Sequence, residues 1–309
     1  MSKVLVTGGS GLVGSALRQI KPDWIYISSK DYDLLHLEDV NAMFNTYNPD
    51  IVIHLAANVG GLFKNAANRL DMFTSNVLIN QNVLNSAYQH GIKRVICCLS
   101  TCIFPDGLNR ILTEKDLHLG EPHYSNYGYA YAKRMMEVQC RLYNEIPDFH
   151  YQCIIPTNIY GPYDNFHLEN SHVIPGLIHK AHLQEDKNIP FKIMGTGQPK
   201  RQFIYSLDLA NIIVRIVSES IYTPLLICST PETSETTILE VARLICTEFN
   251  IQHVEPMDKQ KGVNDGQQIK TASPAKLLTL LPNFQFTPLK DGISQTVKWF
   301  KENYDILRK

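Results

Sequence analysis

The sequence predicts an α/β fold, namely a doubly wound parallel sheet of the Rossmann type with a smaller, discontinuous C-terminal domain. Two observations support this prediction. Short β-rich runs alternate with amphipathic stretches through the first half of the chain, and parallel strands need such helical crossovers to carry the chain back across the sheet. A glycine-rich turn at 8–14 also follows the first of these runs, where this fold places its phosphate-binding turn.

The first half of the chain supplies the elements of the sheet. Apolar and β-branched runs predict five strands, at 3–7, 24–28, 50–55, 94–99 and 151–155. Apolar residues at helical spacing predict the connecting helices, near 13–20, 38–47, 76–90 and 127–145. We therefore expect each strand to be joined to the next by a helix that covers the sheet.

The residue pattern changes after Pro156, where segments rich in Gly, Pro, Asn and His, typical of loops, replace the regular alternation of strands and helices. A helix near 171–184, a short strand at 190–194 and further helices toward the carboxyl end are expected there. The helix at 206–219 and the strand at 224–228 are expected to return to the sheet. The predicted domains are a dinucleotide-binding domain (1–160, with a return segment at 203–229) and a substrate-binding domain (161–202 and 230–309).

The composition excludes several classes of protein. The 309 residues carry a formal net charge of −1, with acidic and basic residues interspersed, so we expect neither a nucleic-acid partner nor a membrane surface. No leader and no apolar run long enough to span a bilayer is evident. The seven cysteines lack the spacing of a zinc site or a disulfide framework. We therefore expect a cytoplasmic protein with free thiols and no metal.

The glycine turn is the first candidate site. Its glycines recur at three-residue spacing between a strand and a helix, where the backbone can approach a pyrophosphate and the helix N-terminus favours its charge. We expect five residues of this turn to bind a dinucleotide: Gly8, Gly11, Leu12, Val13 and Gly14.

The end of the second predicted strand bears on the choice of cofactor. In this fold an acidic residue there binds the ribose diol of NAD, whereas a cation accepts the 2′-phosphate of NADP. Ser29 and Lys30 favour NADP(H), while Asp31 and Asp33 leave NAD open. We expect Asp33 and the adjacent Leu34 to contact the cofactor as well.

Tyr129 and Lys133 form a second candidate site. They lie four residues apart in a predicted helix and therefore share a face. A lysine ammonium beside the ring would lower the pKa of the tyrosine, which could then exchange a proton with a carbonyl oxygen as hydride moves. Taken alone, this spacing is more often an ordinary helix face in a chain with 15 tyrosines. Its significance depends on the glycine turn that accompanies it.

Together with residues 99–102, these motifs resemble those of the extended short-chain dehydrogenase/reductases that act on nucleotide sugars. Longer segments make nearly the whole chain similar to the GDP-L-fucose synthase family, at 156–167, 170–176, 200–209 and 265–273. This resemblance implies a bifunctional enzyme that epimerises GDP-4-keto-6-deoxy-D-mannose at C3 and C5. It then reduces C4 with NADPH to give GDP-L-fucose.

The resemblance implies two sets of catalytic residues. Ser100, Tyr129 and Lys133 match a reductase triad, and Cys102 and His172 match the two residues that exchange protons during epimerisation. A ketone at C4 acidifies the protons at C3 and C5, so inversion needs a base on one face and an acid on the other. Taken alone, Cys102 would more often be a small buried hydrophobic residue, and His172 an ordinary residue at a helix start.

The resemblance also implies contacts with the ligands. Arg201 and Lys180 would bind the nucleotide diphosphate, with Asn158 and Lys270 as further candidates, although the two lysines could equally be exposed to solvent. Pro156, Asn158, Lys133 and His172 would also contact the cofactor. Met194 departs from the family, many of whose members carry tryptophan there, which leaves the packing of the sugar or base open. The helices near 76–90 and 127–145 would form a homodimer.

Three alternatives remain open from the sequence. The nearest is another nucleotide-sugar 4-keto reductase or epimerase, acting on a UDP- or dTDP-linked sugar, because all such enzymes share the triad. The second is a non-catalytic protein that senses a dinucleotide, and the third is a structural scaffold. Cys102 with His172 favours added epimerisation, and the intact triad disfavours a protein without turnover.

Overall fold

The structure is a computed structural model that describes residues 2–185, 189–258, 267 and 270–307. The segment 265–273, which contributes to the family resemblance, is described at 267 and 270–273. Its remaining residues lie outside the described part of the chain. No described helix has both the length and the apolar character that crossing a membrane requires.

The described residues include twelve short strands and ten α-helices. The strands are β1 (Val4–Thr7), β2 (Ile25–Ile27), β3 (Ile51–His54), β4 (Arg94–Cys98), β5 (His150–Pro156), β6 (Asn158–Tyr160), β7 (Phe191–Ile193), β8 (Lys200–Arg201), β9 (Phe203–Tyr205), β10 (Leu225–Cys228), β11 (Thr236–Thr237) and β12 (Val254–Pro256). The helices are α1 (Leu12–Ile20), α2 (Leu37–Tyr47), α3 (Leu62–Ala67), α4 (Arg69–Gln89), α5 (Tyr127–Tyr143), α6 (Val173–His182), α7 (Ser206–Ser218), α8 (Ile238–Thr247), α9 (Ala275–Leu280) and α10 (Leu289–Glu302).

Six parallel strands form the central sheet in the order β10-β5-β4-β3-β1-β2. Every residue of β1 and β3 is buried, as expected for a sheet covered on both faces. The chain turns outward from β1 to β2 and then crosses to β3, so the strand order reverses between β1 and β3. Ligands of such sheets bind at this reversal, beyond the carboxyl ends of the strands.

Two apolar clusters cover the faces of the sheet. Helices α2, α4 and α5 contribute to one cluster, with Phe44, Val83 and Met136 fully buried. Helices α1, α7 and α9 contribute to the other, with Leu17 and Ile213 fully buried. Helix α7 therefore packs on the sheet, and strand β10 pairs with β5 at its edge. This architecture confirms the predicted fold class.

A third apolar cluster lies outside the sheet and combines α6, α8 and α10, with Ile178, Val241 and Phe300 fully buried. Its members come from segments on both sides of the return segment. The cluster supports the proposed second, discontinuous domain. The two-stranded pairs β7 with β12 and β8 with β11 bring the remaining short strands of this region together.

The structure differs from the predicted elements mainly around α4. This helix begins at Arg69 rather than near 76, and the short helix α3 before it was not predicted. The buried face of α4 includes Asn76 and Asn80, which are 0% and 2% exposed. Within the missed turns, 69–75, only Met72 is buried and Leu70 is 79% exposed, so these turns lack the apolar periodicity from which helices are predicted.

Candidate active site

A cleft of about 1300 Å³ opens between the carboxyl ends of the sheet strands and the third cluster. Every residue that the sequence predicts as catalytic, cofactor-binding or substrate-binding lines this cleft, with the exception of Lys30. The strand registers explain the convergence, because Thr7 pairs with His54 and His54 with Cys97. The segments that follow β1, β3 and β4 therefore begin side by side.

The placement of Lys30 differs from the expectation that it would face the cofactor. Asp31 accepts hydrogen bonds from the backbone nitrogen and the hydroxyl of Ser28, at 2.8 and 2.7 Å. These bonds close a turn just after β2 that leaves Lys30 exposed and outside the cleft lining. Ser29 and Asp33 do line the cleft.

The glycine turn is packed too tightly for side chains. Gly8 has a φ of +70°, which favours glycine. A Cβ at Gly14 would lie 2.5 Å from the Gly8 carbonyl oxygen and 2.7 Å from the Gly9 Cα. No side chain caps the start of α1 at Gly11, which leaves the first backbone N–H groups to face an anion. The turn therefore fits a dinucleotide pyrophosphate.

Lys133 is buried beneath the candidate proton donor. Its side chain is 1% exposed, and Nζ donates a hydrogen bond of 2.8 Å to the Cys98 carbonyl oxygen. Nζ lies 5.7 Å from the centroid of the Tyr129 ring. The bond fixes α5 against the carboxyl end of β4.

The pKa of Tyr129 does not follow the sequence expectation. Burial raises the pKa of the phenol, and the neighbouring Cys102 and Cys98 raise it further. Lys133 does not reverse this effect, because its ammonium is bonded to Cys98 and burial lowers the pKa of the lysine itself. Tyr129 therefore holds its proton in the absence of ligands, which is the form that can protonate a developing alkoxide.

Ser100 and Cys102 reach the cleft through a short turn that follows β4. Residues Thr101–Ile103 form a 3-10 turn, and the Ser100 hydroxyl oxygen accepts a hydrogen bond of 3.3 Å from the Cys102 backbone nitrogen. Arg134 fixes the turn, since its Nε donates to the Ile103 carbonyl at 2.6 Å. The turn that carries Cys102 is therefore attached to the helix that carries Tyr129.

His172 lies at the start of α6, across the cleft. Its side chain is exposed and makes no helix-capping hydrogen bond. The preceding segment contacts the loop after β3, where the Gly61 nitrogen donates to the Asn170 carbonyl at 3.1 Å. A Cβ at Gly61 would lie 2.1 Å from the Ser171 carbonyl oxygen. This close backbone approach positions His172 relative to the sheet.

Sequence reasoning missed the polar residues that hold the loop after β3. Asn58 lines the cleft, its nitrogen donates to Asn76 Oδ1 and its Nδ2 to Asp71 Oδ2, both at 2.9 Å. Lys64 Nζ donates to Asn58 Oδ1 at 2.9 Å. The signal for this network was present, because two asparagines recur at four-residue spacing within one helix.

His54 was also missed, although it ends the third strand. Its Nδ1 lies 2.8 Å from Thr7 Oγ1 and its Nε2 3.1 Å from Asn80 Oδ1. Burial lowers its pKa to about 4, so the ring is neutral at physiological pH. His54 joins the ends of β1 and β3 to helix α4 and has a structural role beneath the cleft.

The cationic side chains of Lys180, Arg201 and Lys270 also line the cleft. Burial lowers the pKa of Lys270 to about 8, with Cys102 opposing and Arg201 reinforcing the shift. Burial also lowers the pKa of Arg201 to about 10, against the effect of Glu235, and it lowers that of Lys180. Lys180 Nζ donates to the Lys192 carbonyl oxygen. An anion such as a diphosphate would stabilise these clustered charges.

Two further features complete the cleft. Met194 is 51% exposed and lines it, where a flexible apolar side chain can pack against a ring. Among the described residues, no group of three or more His, Cys, Asp or Glu side chains could hold a metal ion.

The chain was compared with known proteins. The NAD dependent epimerase/dehydratase family matches residues 4–223. A probable GDP-L-fucose synthase of Drosophila melanogaster is 45% identical over 100% of both chains. The GDP-L-fucose synthase of Dictyostelium discoideum is 45% identical over 99% of this chain and 97% of that protein. The chain belongs to the GDP-L-fucose synthase family. This assignment confirms the resemblance described above.

A solved structure agrees with this assignment. The GDP-L-fucose synthetase of Naegleria fowleri bound to NADP has a TM-score of 0.91 and 41% identity, and the match covers 100% of this chain and 95% of that one. The fold of the whole chain, including the third cluster, therefore follows that of a family member that binds NADP.

Gly14→Ala should weaken NADPH binding by at least about tenfold, or about 1.4 kcal/mol, because the added methyl group cannot fit against the Gly8 carbonyl. Fluorescence titration with NADPH measures this. Gly120→Ala is the matched control, since a Cβ there meets nothing closer than 3.4 Å. Equal affinities of the two variants would show that the turn does not contact the cofactor.

The affinity for a nucleoside diphosphate should fall as the pH rises through about 8, the pKa of Lys270. The lysine is cationic below that pKa and neutral above it, so its attraction for the diphosphate is lost at alkaline pH. Titration calorimetry with GDP across this range measures the change. In Lys270→Met the step near pH 8 should disappear, and a step that persists would assign it to another group.

Proposed function

We propose that the protein is a bifunctional, NADPH-dependent epimerase-reductase that converts GDP-4-keto-6-deoxy-D-mannose to GDP-L-fucose. One observation carries the proposal: a single cleft is lined both by Tyr129 with Lys133 and by Cys102 with His172. Reduction alone needs the first pair. The second pair gives the cleft groups suited to proton transfer at the carbons that flank a ketone.

In the first stage the 4-keto sugar is epimerised at C3 and C5. Cys102 and His172 approach from different walls of the cleft, one from the turn after β4 and one from the start of α6. One side chain removes a proton and the other returns a proton to the opposite face of the same carbon. The hydroxyls of Ser100 and Tyr129 donate hydrogen bonds to the enolate oxygen and stabilise its charge.

In the second stage the ketone at C4 becomes an alcohol. NADPH, when bound, supplies the hydride, and the tight glycine turn at Gly14 fits its pyrophosphate. Tyr129 protonates the developing alkoxide, which its raised pKa allows because the phenol still carries its proton. Lys133 holds the tyrosine helix against β4 and stabilises the negative charge left on the phenolate.

The proposed substrate-binding residues comprise cationic, polar and apolar side chains. Arg201, Lys180 and Lys270 bind the diphosphate, and Asn158 lies between them and the cofactor. Met194 packs against the sugar or the base. The relatives named above favour a GDP-linked sugar over the UDP- and dTDP-linked alternatives, and the same relatives disfavour a sensor or scaffold without turnover.

The cysteines support a cytoplasmic location for the enzyme. All seven are free, and five of them are buried. Free thiols persist in reducing compartments.

Turnover in deuterated water tests the two stages separately. Purified protein with GDP-4-keto-6-deoxy-mannose and NADPH should oxidise NADPH and give a product deuterated at two carbons, as measured by absorbance and mass spectrometry. Cys102→Ser should slow deuterium incorporation by about 10²- to 10⁴-fold, because a hydroxyl is a weaker acid and base than a thiol near neutral pH. Tyr129→Phe should slow NADPH oxidation to a similar extent.

Both variants should bind NADPH with nearly unchanged affinity, because neither change removes a contact with the glycine turn. Oxidation of NADPH without deuteration in the wild type would leave a simple ketoreductase. Unchanged deuteration in Cys102→Ser would contradict the role of the thiol, and a large loss of NADPH affinity in Tyr129→Phe would make that residue structural.

We also propose that the enzyme is a homodimer that joins through α4 and α5. These helices pack on each other and expose a stripe of apolar side chains at helical spacing on α5, namely Met135, Val138 and Leu142, together with Leu78 of α4.

Leu142→Glu should convert the dimer to a monomer, since it places a charge in the proposed interface without disturbing the core. Sedimentation velocity measures the molecular mass. Ile306→Glu is the control, because Ile306 is 82% exposed at the far end of the chain. A monomeric wild type would refute the dimer.

A further inference from the structure

Gln202 joins three distant segments beneath the cleft. It lies between β8 and β9 and is 1% exposed. Its Nε2 donates to the Thr230 carbonyl at 2.7 Å and to the Ala272 carbonyl at 3.0 Å, while its Oε1 accepts from the Ala272 nitrogen at 2.7 Å. Both donor hydrogens and the acceptor of the amide are therefore used.

The backbone of Gln202 holds a fourth group. Its carbonyl oxygen accepts hydrogen bonds from the backbone nitrogen of Asn158 at 3.2 Å and from Asn158 Nδ2 at 2.8 Å. Arg201 immediately precedes Gln202 in the chain. Two of the proposed substrate-binding residues are therefore covalently linked or hydrogen-bonded to this one residue.

Among the described residues, few other hydrogen bonds attach the segment 270–273 to the rest of the chain. Residues 270–273 lie outside any helix or longer strand. Leu112 exchanges backbone hydrogen bonds of 2.8 Å with Thr271 and Ser273, and the Thr271 hydroxyl donates to Glu235 Oε1 at 2.6 Å. The two hydrogen bonds between the Gln202 side chain and the Ala272 backbone connect this segment to Asn158 and Arg201.

We propose that Gln202 is a positioning residue that sets the spacing of Lys270, Arg201 and Asn158 for the nucleotide diphosphate. This inference rests on the proposed function and extends it to a residue that does not touch the ligand. A cation binds a diphosphate well only when its position is fixed before binding. Without the amide, the Ala272 N–H and C=O lose buried partners, so the segment shifts and Lys270 moves with it.

A second buried glutamine provides a matched control for Gln202. Gln152 of β5 is also 1% exposed, but its Nε2 has no hydrogen-bond partner. Gln202→Met and Gln152→Met therefore remove a buried amide of the same size, and only the first removes the bonds to Ala272 and Thr230. A difference between the two variants isolates those bonds from the general cost of changing a buried glutamine.

The test measures two ligands on the full chain. GDP binding is followed by titration calorimetry and NADPH binding by fluorescence. Gln202→Met should weaken GDP binding by about 10- to 100-fold, because binding must then restore the position of the displaced segment and its lysine. It should leave NADPH affinity within about twofold, because the glycine turn lies on another segment and Met keeps the backbone carbonyl to which Asn158 is bonded. In turnover, the KM for the nucleotide sugar should rise more than kcat falls.

Three results would overturn the proposal: unchanged GDP affinity in Gln202→Met, an equal loss of GDP and NADPH affinity, or the same loss of GDP affinity in Gln152→Met. If Gln202→Met does not fold, Thr271→Val tests the same segment, because it removes the bond to Glu235 at nearly constant volume. It should weaken GDP binding and spare NADPH, and no change in GDP affinity would count against the proposal. A wild type that binds no GDP would instead refute the proposed function itself.

Discussion

The buried ammonium of Lys133 is the interaction on which the rest of the site depends. A charge removed from water is costly unless a polar group compensates it, and the Cys98 carbonyl at 2.8 Å supplies that compensation. The bond fixes α5 to the end of β4 in a single register. Because Ser100 and Cys102 follow β4 directly, this bond holds the proposed reductase residues and Cys102 together, whereas His172 approaches from α6. Arg134 adds a second attachment at Ile103.

The electrostatics of the cleft separate its two tasks. Near the sheet, burial keeps Tyr129 protonated, so that wall offers a proton to an oxygen that gains charge. Burial also destabilises the cations Lys270 and Arg201, so these residues gain from any anion that arrives. A ligand that carries both a carbonyl and a diphosphate can interact with Tyr129 through the first group and with Lys270 and Arg201 through the second. We therefore expect these two sets of residues to orient the substrate.

Much of the site could be predicted from the sequence because its motifs are local. The glycine turn and the Tyr129 helix each lie within a few consecutive residues, and parallel strands bring their ends together. The remainder depends on tertiary structure. The proton affinity of Tyr129 follows from burial, the exposure of Lys30 from a turn closed by Asp31, and the role of Gln202 from a partner seventy positions away. No local pattern encodes such contacts, and the three-residue turn at Cys102 is too short to show periodicity.

The loop after β3 connects the cofactor turn to the start of α6 through main-chain contacts. Backbone atoms near Ala56 abut Gly8 at one end of the loop, and Gly61 bonds to the backbone of Asn170 at the other. The cofactor turn and the histidine helix are thus joined through main-chain contacts that side-chain substitutions at 56 or 170 leave in place. We therefore expect side-chain changes that alter the sugar to leave the cofactor turn in place. Replacement of Cys102 or His172 is expected to spare the arrangement of the proposed reductase residues, because main-chain atoms form the connection between the two sites.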